Sequence, residues 1–212
     1  MKRPLLIAIA VGALAYASVA SAAATEIQIG NDFYSPVAPA TRNLASGTSF
    51  HWSNGGGTTR AHNVRQDVKL FYSGGPTRGS INFSIRASAG TYHYYCELHG
   101  GLTEGMQGVV KVRPISLAAP DGLPFTVSWA LAGTTATATN TGNQFDVQYR
   151  VGTTTTWKVW KNDTSARSGV FGQNGQPVQV QSGRIYQFRA RSQKSTNPNQ
   201  PSGWSPTLQV AT

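Results

Sequence analysis

Four residues of this chain carry the donor atoms of a soft-metal site. Cys96 is the single cysteine in 212 residues. It stands in Tyr94-Tyr95-Cys96-Glu97-Leu98-His99-Gly100-Gly101-Leu102-Thr103-Glu104-Gly105-Met106, so thiol, imidazole and thioether follow one another as Cys-x2-His-x6-Met. A second imidazole, His62, lies thirty-four residues upstream in Ala61-His62-Asn63-Val64. A thiolate and two imidazoles in a plane, with a weak axial sulfur, form the ligand set that copper takes in electron-transfer sites. The expected cofactor is one copper ion, cycling between Cu(I) and Cu(II), on His62, Cys96, His99 and Met106.

Three of these ligands need a single loop near the end of a domain, and the fourth needs a loop from its middle. Gln107-Gly108-Val109-Val110-Lys111-Val112 follows Met106 as a final strand. Asn54-Gly55-Gly56-Gly57, after Trp52, supplies a pliable approach to His62. Asn63 is a candidate to donate its backbone N–H to the Cys96 sulfur, which would damp the thiolate charge. Strand alternation puts His93, three residues before Cys96, on the opposite face, and it is not expected to be a ligand. His51, between Phe50 and Trp52, reads as a polar-face residue and a weak candidate for a second surface metal site. Electron entry is expected at the edge of His99, ringed by Gly100, Gly101 and Leu102, with Tyr95 as a second route. Glu97 and Glu104 bring negative charge to the site.

The rest of the pattern is that of strands. Ile27 and Ile29, Phe50 and Trp52, Phe83 and Ile85, and Val110 and Val112 alternate with polar residues, between clusters rich in Gly, Asn, Pro and Ser. Helical periodicity is nearly absent. Three prolines and Asp121-Gly122 fill the stretch 114–124, which reads as a linker and the start of a second domain. Strand patterns resume at Phe125–Trp129, Phe145–Val151 and, after the Ser182-Gly183 turn, Ile185–Arg191. The expected fold is all-β: two β-sandwich domains, 23–113 and 115–212, after a cleaved leader of residues 1–22.

These residues carry two resemblances. Residues 25–113 resemble a plastocyanin-like cupredoxin, a Greek-key sandwich. The resemblance rests on Phe33-Tyr34-Ser35-Pro36, Ser49-Phe50-His51-Trp52-Ser53-Asn54, His62-Asn63-Val64, Gly90-Thr91-Tyr92-His93-Tyr94-Tyr95-Cys96 and Gly105-Met106-Gln107-Gly108. It implies a blue type 1 copper site and transfer of single electrons between partner proteins. Two features depart from that family: Ala61 stands where relatives often have proline, and the stretch between His99 and Met106 is longer than in plastocyanins. Residues 115–212 resemble a fibronectin type III domain, through Trp129, the Tyr149 strand, a tyrosine corner at Tyr186 and Trp204-Ser205 before the closing strand. That resemblance implies architecture and not function.

Met1-Lys2-Arg3, the apolar run from Leu5 to Ala17 and Ala20-Ser21-Ala22 have the order of a secretory signal. The run is too short to span a bilayer, so the chain is expected to be exported to a periplasm or beyond the cell, without a membrane anchor. A lone cysteine in an exported protein points to a metal ligand, a reactive thiol or pairing between chains. Without Lys2 and Arg3, sixteen basic side chains face eight acidic ones, spread over both halves. This favours acidic partners and no nucleic acid. There is no Gly-x-Ser-x-Gly, phosphate loop or paired-carboxylate pattern. A Cys96–His99 nucleophile would leave His62 and Met106 unexplained, and no catalysis is expected. The function expected is electron carriage with a redox partner protein. The alternatives are copper handling without such a partner, or adhesion and wall binding through the second domain, where glycan or protein contact could use the rings of Trp157 and Trp160, although Trp157 reads better as a cover for the sandwich edge.

Overall fold

The computed structural model describes residues 23–39, 41–44, 49–117, 121–131 and 141–212; the expected leader, residues 1–22, lies outside them. Among the described residues no helix is long and apolar enough to cross a membrane. The first half forms two facing four-stranded sheets. One has β1 (Thr25–Gly30), β2 (Phe33–Ser35), β4 (Ser49–Ser53) and β6 (Asn82–Arg86) in the order β2-β1-β4-β6. The other has β3 (Arg42–Asn43), β5 (Arg65–Gln66), β7 (Gly90–Gly100) and β8 (Gly105–Arg113) in the order β3-β8-β7-β5. β1 runs parallel to β4, and β3 to β8.

Alternation decides which side chains fill the space between the sheets. Ile27, Phe50, Trp52, Tyr92, Tyr94, Cys96, Val110 and Val112 are all buried, and His93 points outward from the same strand. The core is an aromatic column: Tyr94 meets Tyr34 edge-on at 5.0 Å and Trp52 at 5.2 Å, and Trp52 packs on Phe71 and Phe83. Such pairs add about 0.5–1.5 kcal/mol beyond their burial.

Only Pro114 separates β8 from the first strand of the second sandwich, β9 (Ile115–Leu117), which pairs with β10 (Phe125–Ser128). The three-stranded sheet β13-β10-β9 uses β13 (Ser168–Phe171). It faces a four-stranded sheet ordered β12-β11-β14-β15, made of β11 (Gln144–Val151), β12 (Lys158–Thr164), β14 (Ile185–Gln193) and β15 (Leu208–Ala211). Tyr186 is buried and its hydroxyl accepts the Gln181 N–H at 2.9 Å, the expected corner. Trp129 is buried beneath Trp160 and donates its indole N–H to the Ala166 carbonyl.

The two sandwiches are stitched together. Thr91 and Gly203 exchange both backbone hydrogen bonds at 2.9 Å, and the Ala89 N–H donates to the Trp129 carbonyl at 2.7 Å. Between them lies a buried cluster of hydroxyls. Tyr92 Oη sits 2.8 Å from Ser192 Oγ, 2.9 Å from Ser88 Oγ and 3.1 Å from Thr141 Oγ1. A Cβ on Gly90 would fall 2.7 Å from Ser202 Oγ and 2.8 Å from Tyr92 Oη, so a larger residue here would push into the hydroxyl cluster. Burial raises the Tyr92 pKa, so the phenol stays a neutral hydrogen-bonding group. Tyr92→Phe leaves buried serine and threonine hydroxyls short of a partner and is expected to cost about 1–3 kcal/mol, read as a lower urea midpoint for the whole chain.

Candidate metal centre

Residues three apart on a regular strand point to opposite faces, so Cys96 and His99 could not meet if β7 paired evenly. The pairing with β8 is broken where they lie. Tyr95 faces Gln107, and the next pair is Gly100 with Gly105, so four residues, Cys96 to His99, stand against Met106 alone. The excess length curls the strand and turns Cys96 and His99 toward one point. Beyond them, residues 100–105 close as a short hairpin, fastened by the Gly101 N–H on the Glu104 carbonyl at 2.9 Å. Both ends of the hairpin require glycine. Gly105 has φ +72° and a Cβ there would lie 2.3 Å from the His99 carbonyl; one on Gly100 would lie 2.3 Å from that of Met106. The longer stretch between His99 and Met106 is therefore a ribbon projecting past the ligands, and Met106 remains buried in the core of the first sandwich.

His62 arrives from the loop between β4 and β5. Its N–H and carbonyl both bond to Thr77 at 2.9 Å, which pins the loop from outside. Asn63 pins it from inside. Its amide donates to Glu97 Oε2 at 2.7 Å and to the Gly74 carbonyl at 2.9 Å, its side-chain oxygen accepts the Glu97 N–H at 2.9 Å, and its carbonyl accepts the Tyr34 hydroxyl. The bonds of Asn63 thus tie the His62 loop to the residue after Cys96.

The result is a triangle of soft donors. His62 Nδ1 and His99 Nδ1 are 3.1 Å apart, and Cys96 Sγ lies 3.7 Å from the first and 3.6 Å from the second. A point equidistant from all three is about 2.0 Å from each, the length of a metal–nitrogen bond. Among the described residues these form the one His/Cys/Asp/Glu group with metal-holding spacing. Cys96 and His62 are fully buried, and the His99 side chain is 21 % exposed. Burial, then the nearby His99, lowers the His62 pKa, which keeps its ring neutral and able to ligate. His62 Nε2 is buried without a hydrogen-bond partner, so Nδ1 is the nitrogen with a place in the triangle. The residues fit a thiophilic ion.

Two neighbours shape the electrostatics. Glu97 accepts from Arg65 at 2.8 Å, from Tyr72 at 2.9 Å and from Asn63. Partial burial pushes its pKa up, but these hydrogen bonds outweigh it and hold the carboxyl below the usual range. Asp32 was not singled out by sequence reasoning. It occupies the β1–β2 turn with φ +66°, receives Arg60 at 2.6 Å and places Oδ1 3.6 Å from His99 Nδ1. Nothing in the local sequence pairs Asp32 with a histidine sixty-seven positions away.

The remaining candidates lie elsewhere. His51 bonds Glu26 Oε2 and Asn82 Oδ1 through its two nitrogens, both at 2.6 Å, so it is a cross-strand polar link with no nitrogen left for a metal. Tyr95 lies on the face of β7 opposite Cys96, under the Arg65 guanidinium. Trp160 is not a surface ring: it packs on Trp129, Phe171 and Phe188. Trp157 carries the guanidiniums of Arg150 and Arg189 over its ring at 4.6 and 4.4 Å, so a sugar has no bare face there to stack on.

No family model matches the chain, and no curated protein matches it. Similar solved structures include the chicken CNTN1 FN1–FN3 domains, at 10% identity and TM-score 0.33, covering 83% of this chain and 64% of that one. They also include a two-domain fibronectin type III segment of chicken tenascin, at 15% identity and TM-score 0.31, covering 88% of this chain and 96% of that one. The strand order and the Tyr186 corner make the second sandwich fibronectin type III-like.

The Glu97 cluster has a pH signature. A carboxyl whose folded pKa is depressed contributes stability above its unfolded value of about 4.3 and loses it as pH falls through the folded value. Glu97→Gln is expected to flatten the stability profile below about pH 4.3, measured as urea midpoints across acid pH, and to lower stability at neutral pH.

Proposed function

We propose that this chain is an exported type 1 copper protein that carries single electrons, with copper held by His62, Cys96 and His99 and with Met106 as the weak axial ligand. The observation that supports it most is the convergence of two imidazole nitrogens and one thiol on a point about 2.0 Å from each, a metal–nitrogen bond length, with Met106 buried beside the broken strand pair. Copper in such a site supplies a one-electron couple and an intense thiolate-to-metal absorption.

The chain's own residues do the rest. The Asn63–Glu97 bonds, the Thr77 pairing and the hairpin hold the donors in place, so little rearrangement accompanies a change of charge. His99 is the exposed ligand, beside a hollow of 310 Å³ lined by Gly100, Gly101, Glu104 and Gly105, where small residues permit close approach. Leu98 and Leu102, 60 % and 55 % exposed, flank it as an apolar landing for a redox partner protein. Asp32 adds a negative charge against His99, favouring the more oxidised centre.

The first test is the visible spectrum of copper-loaded protein before and after ascorbate. An intense orange-red band, bleached by reductant and restored by oxidant, is expected; binding without colour points instead to copper handling without an electron-transfer partner. Cys96→Ser abolishes the band, and Met106→Leu keeps it while raising the potential. Asp32→Asn removes a charge worth about 1 kcal/mol at 4 Å even in water, so the Cu(II)/Cu(I) ratio at a fixed mediator potential is expected to fall about fivefold.

A second reading concerns the second sandwich: adhesion to a cell wall or surface. It is favoured by the excess of cations there, eight Lys and Arg against two Asp and no Glu over residues 141–212.

A further inference from the structure

We propose that the outer face of the β12-β11-β14-β15 sheet is a docking surface for acidic polysaccharide, whose oxyanions are taken edge-on by the guanidiniums of Arg150, Arg189 and Arg191. The inference rests on the surface-binding reading of this sandwich and not on the copper site.

Five side chains alternate in one stack on this face. Arg150 lies 4.6 Å over Trp157, Arg189 lies 4.4 Å over Trp157 and 4.6 Å over Trp204, and Arg191 lies 4.6 Å over Trp204. Significant cation–π contacts occur about once per 70–80 residues, so four in a single stack is a concentrated feature. Strand alternation sets it up. Tyr149, Phe188 and Ala190 point into the core, which leaves Arg150, Arg189 and Arg191 on the outer face.

The hydrogen bonds leave each guanidinium half used. Arg150 directs Nε and Nη2 to Gln187 Oε1, Arg189 directs Nε and Nη2 to Gln148 Oε1, and Arg191 directs Nε to Asp146 Oδ2 at 2.8 Å. The Nη1 donors of Arg150 and Arg189 have no protein partner among the described residues. One carboxylate, the buried Asp146, therefore serves three arginines. Arg150 and Arg189 are anchored by neutral glutamines, so their charge is not cancelled. Ring stacking and glutamine anchoring also remove most of the rotamer freedom that arginine would lose on binding. Burial, then Arg150 and Arg191, lowers the Arg189 pKa, as expected of cations crowded without a counter-ion.

The same geometry selects the class of ligand. A single-stranded nucleic acid binds by stacking bases on aromatic faces, and a neutral sugar stacks likewise, but both indoles have guanidiniums over their rings. What remains open is the in-plane edge of the cations, which matches carboxylate or sulfate oxygens. Lys158, exposed at the start of β12 beside Trp157, extends the positive surface.

The test uses the full chain on immobilised alginate, with dextran as neutral control and oligo-dT in solution as competitor. Retention on alginate alone is expected. The double variant Arg150→Gln/Arg189→Gln is expected to bind at least tenfold more weakly, with a salt slope lower by about one per arginine removed. Because that variant disturbs the stack, the wild-type protein provides a second readout. On alginate addition the NMR Nε–H signals of Arg150, Arg189 and Arg191 shift ahead of those of Arg60 and Arg78 in the first sandwich. Retention on dextran as strong as on alginate overturns the acidic-ligand proposal but leaves surface binding standing, whereas no retention on either overturns both. Tighter binding of oligo-dT than alginate, or shifts spread evenly over all arginines, also overturns it.

Discussion

The site depends on one irregularity, the break in pairing between β7 and β8. An even antiparallel ladder would send the side chains of Cys96 and His99 to opposite faces. Setting Cys96 to His99 against Met106 alone bends the strand at the sandwich end, and both donors then turn toward His62. The hairpin beyond, with its two obligatory glycines, lets the ladder resume and holds the bend open. Three residues outside the donor triangle keep this bend in register: Gly100, Gly105, and Asn63, whose amide reaches Glu97 across the loop.

The stiffness of the first sandwich extends below the site. Tyr34 is at once a core aromatic packed on Tyr94 and the hydroxyl donor to the Asn63 carbonyl, so the apolar column and the ligand loop share one side chain. Buried polar groups of this kind are stabilising only when they are satisfied. The hydroxyl cluster around Tyr92 follows the same rule at the joint with the second sandwich, and it ties strand β7, which carries Cys96, to strand β14. Strand β14 in turn carries Arg189 and Arg191. The donor triangle and the cationic face are thus built on two strands that meet at Tyr92 and Ser192.

That joint gives the second sandwich a mechanical meaning. Thr91 bonds the carbonyl of Trp204, an aromatic member of the arginine stack, at 2.8 Å. Interfaces between domains in one chain are usually mobile; here paired backbone bonds and a buried hydroxyl cluster oppose rotation. A protein held to a surface through the second sandwich would present its His99 edge at a constant angle.

The sequence by itself determined the all-β class, the longer alternating strands and the three donors, His62, Cys96 and His99, that the structure brings together. Alternation such as Phe50-His51-Trp52 is a local property, and a single cysteine between two histidines and a methionine permits few chemistries. His93 was legible as a non-ligand for the same reason of parity. Parity alone would have excluded His99 as well, and what lets it join Cys96 is a bulge, which arises from how two strands pair and not from either one alone. Asp32, Glu97 as a hub, and the Tyr92 joint were equally hidden: the partners that tie them across the fold, His99, Tyr72 and Ser192, lie from twenty-five to a hundred positions away, and no local pattern encodes a contact at that range. Trp157 and Trp160 show the same division. Both were legible as strand aromatics, but only tertiary packing laid the half-buried Trp160 against the core and guanidiniums over Trp157, since which ring is covered depends on the strands that fold across it.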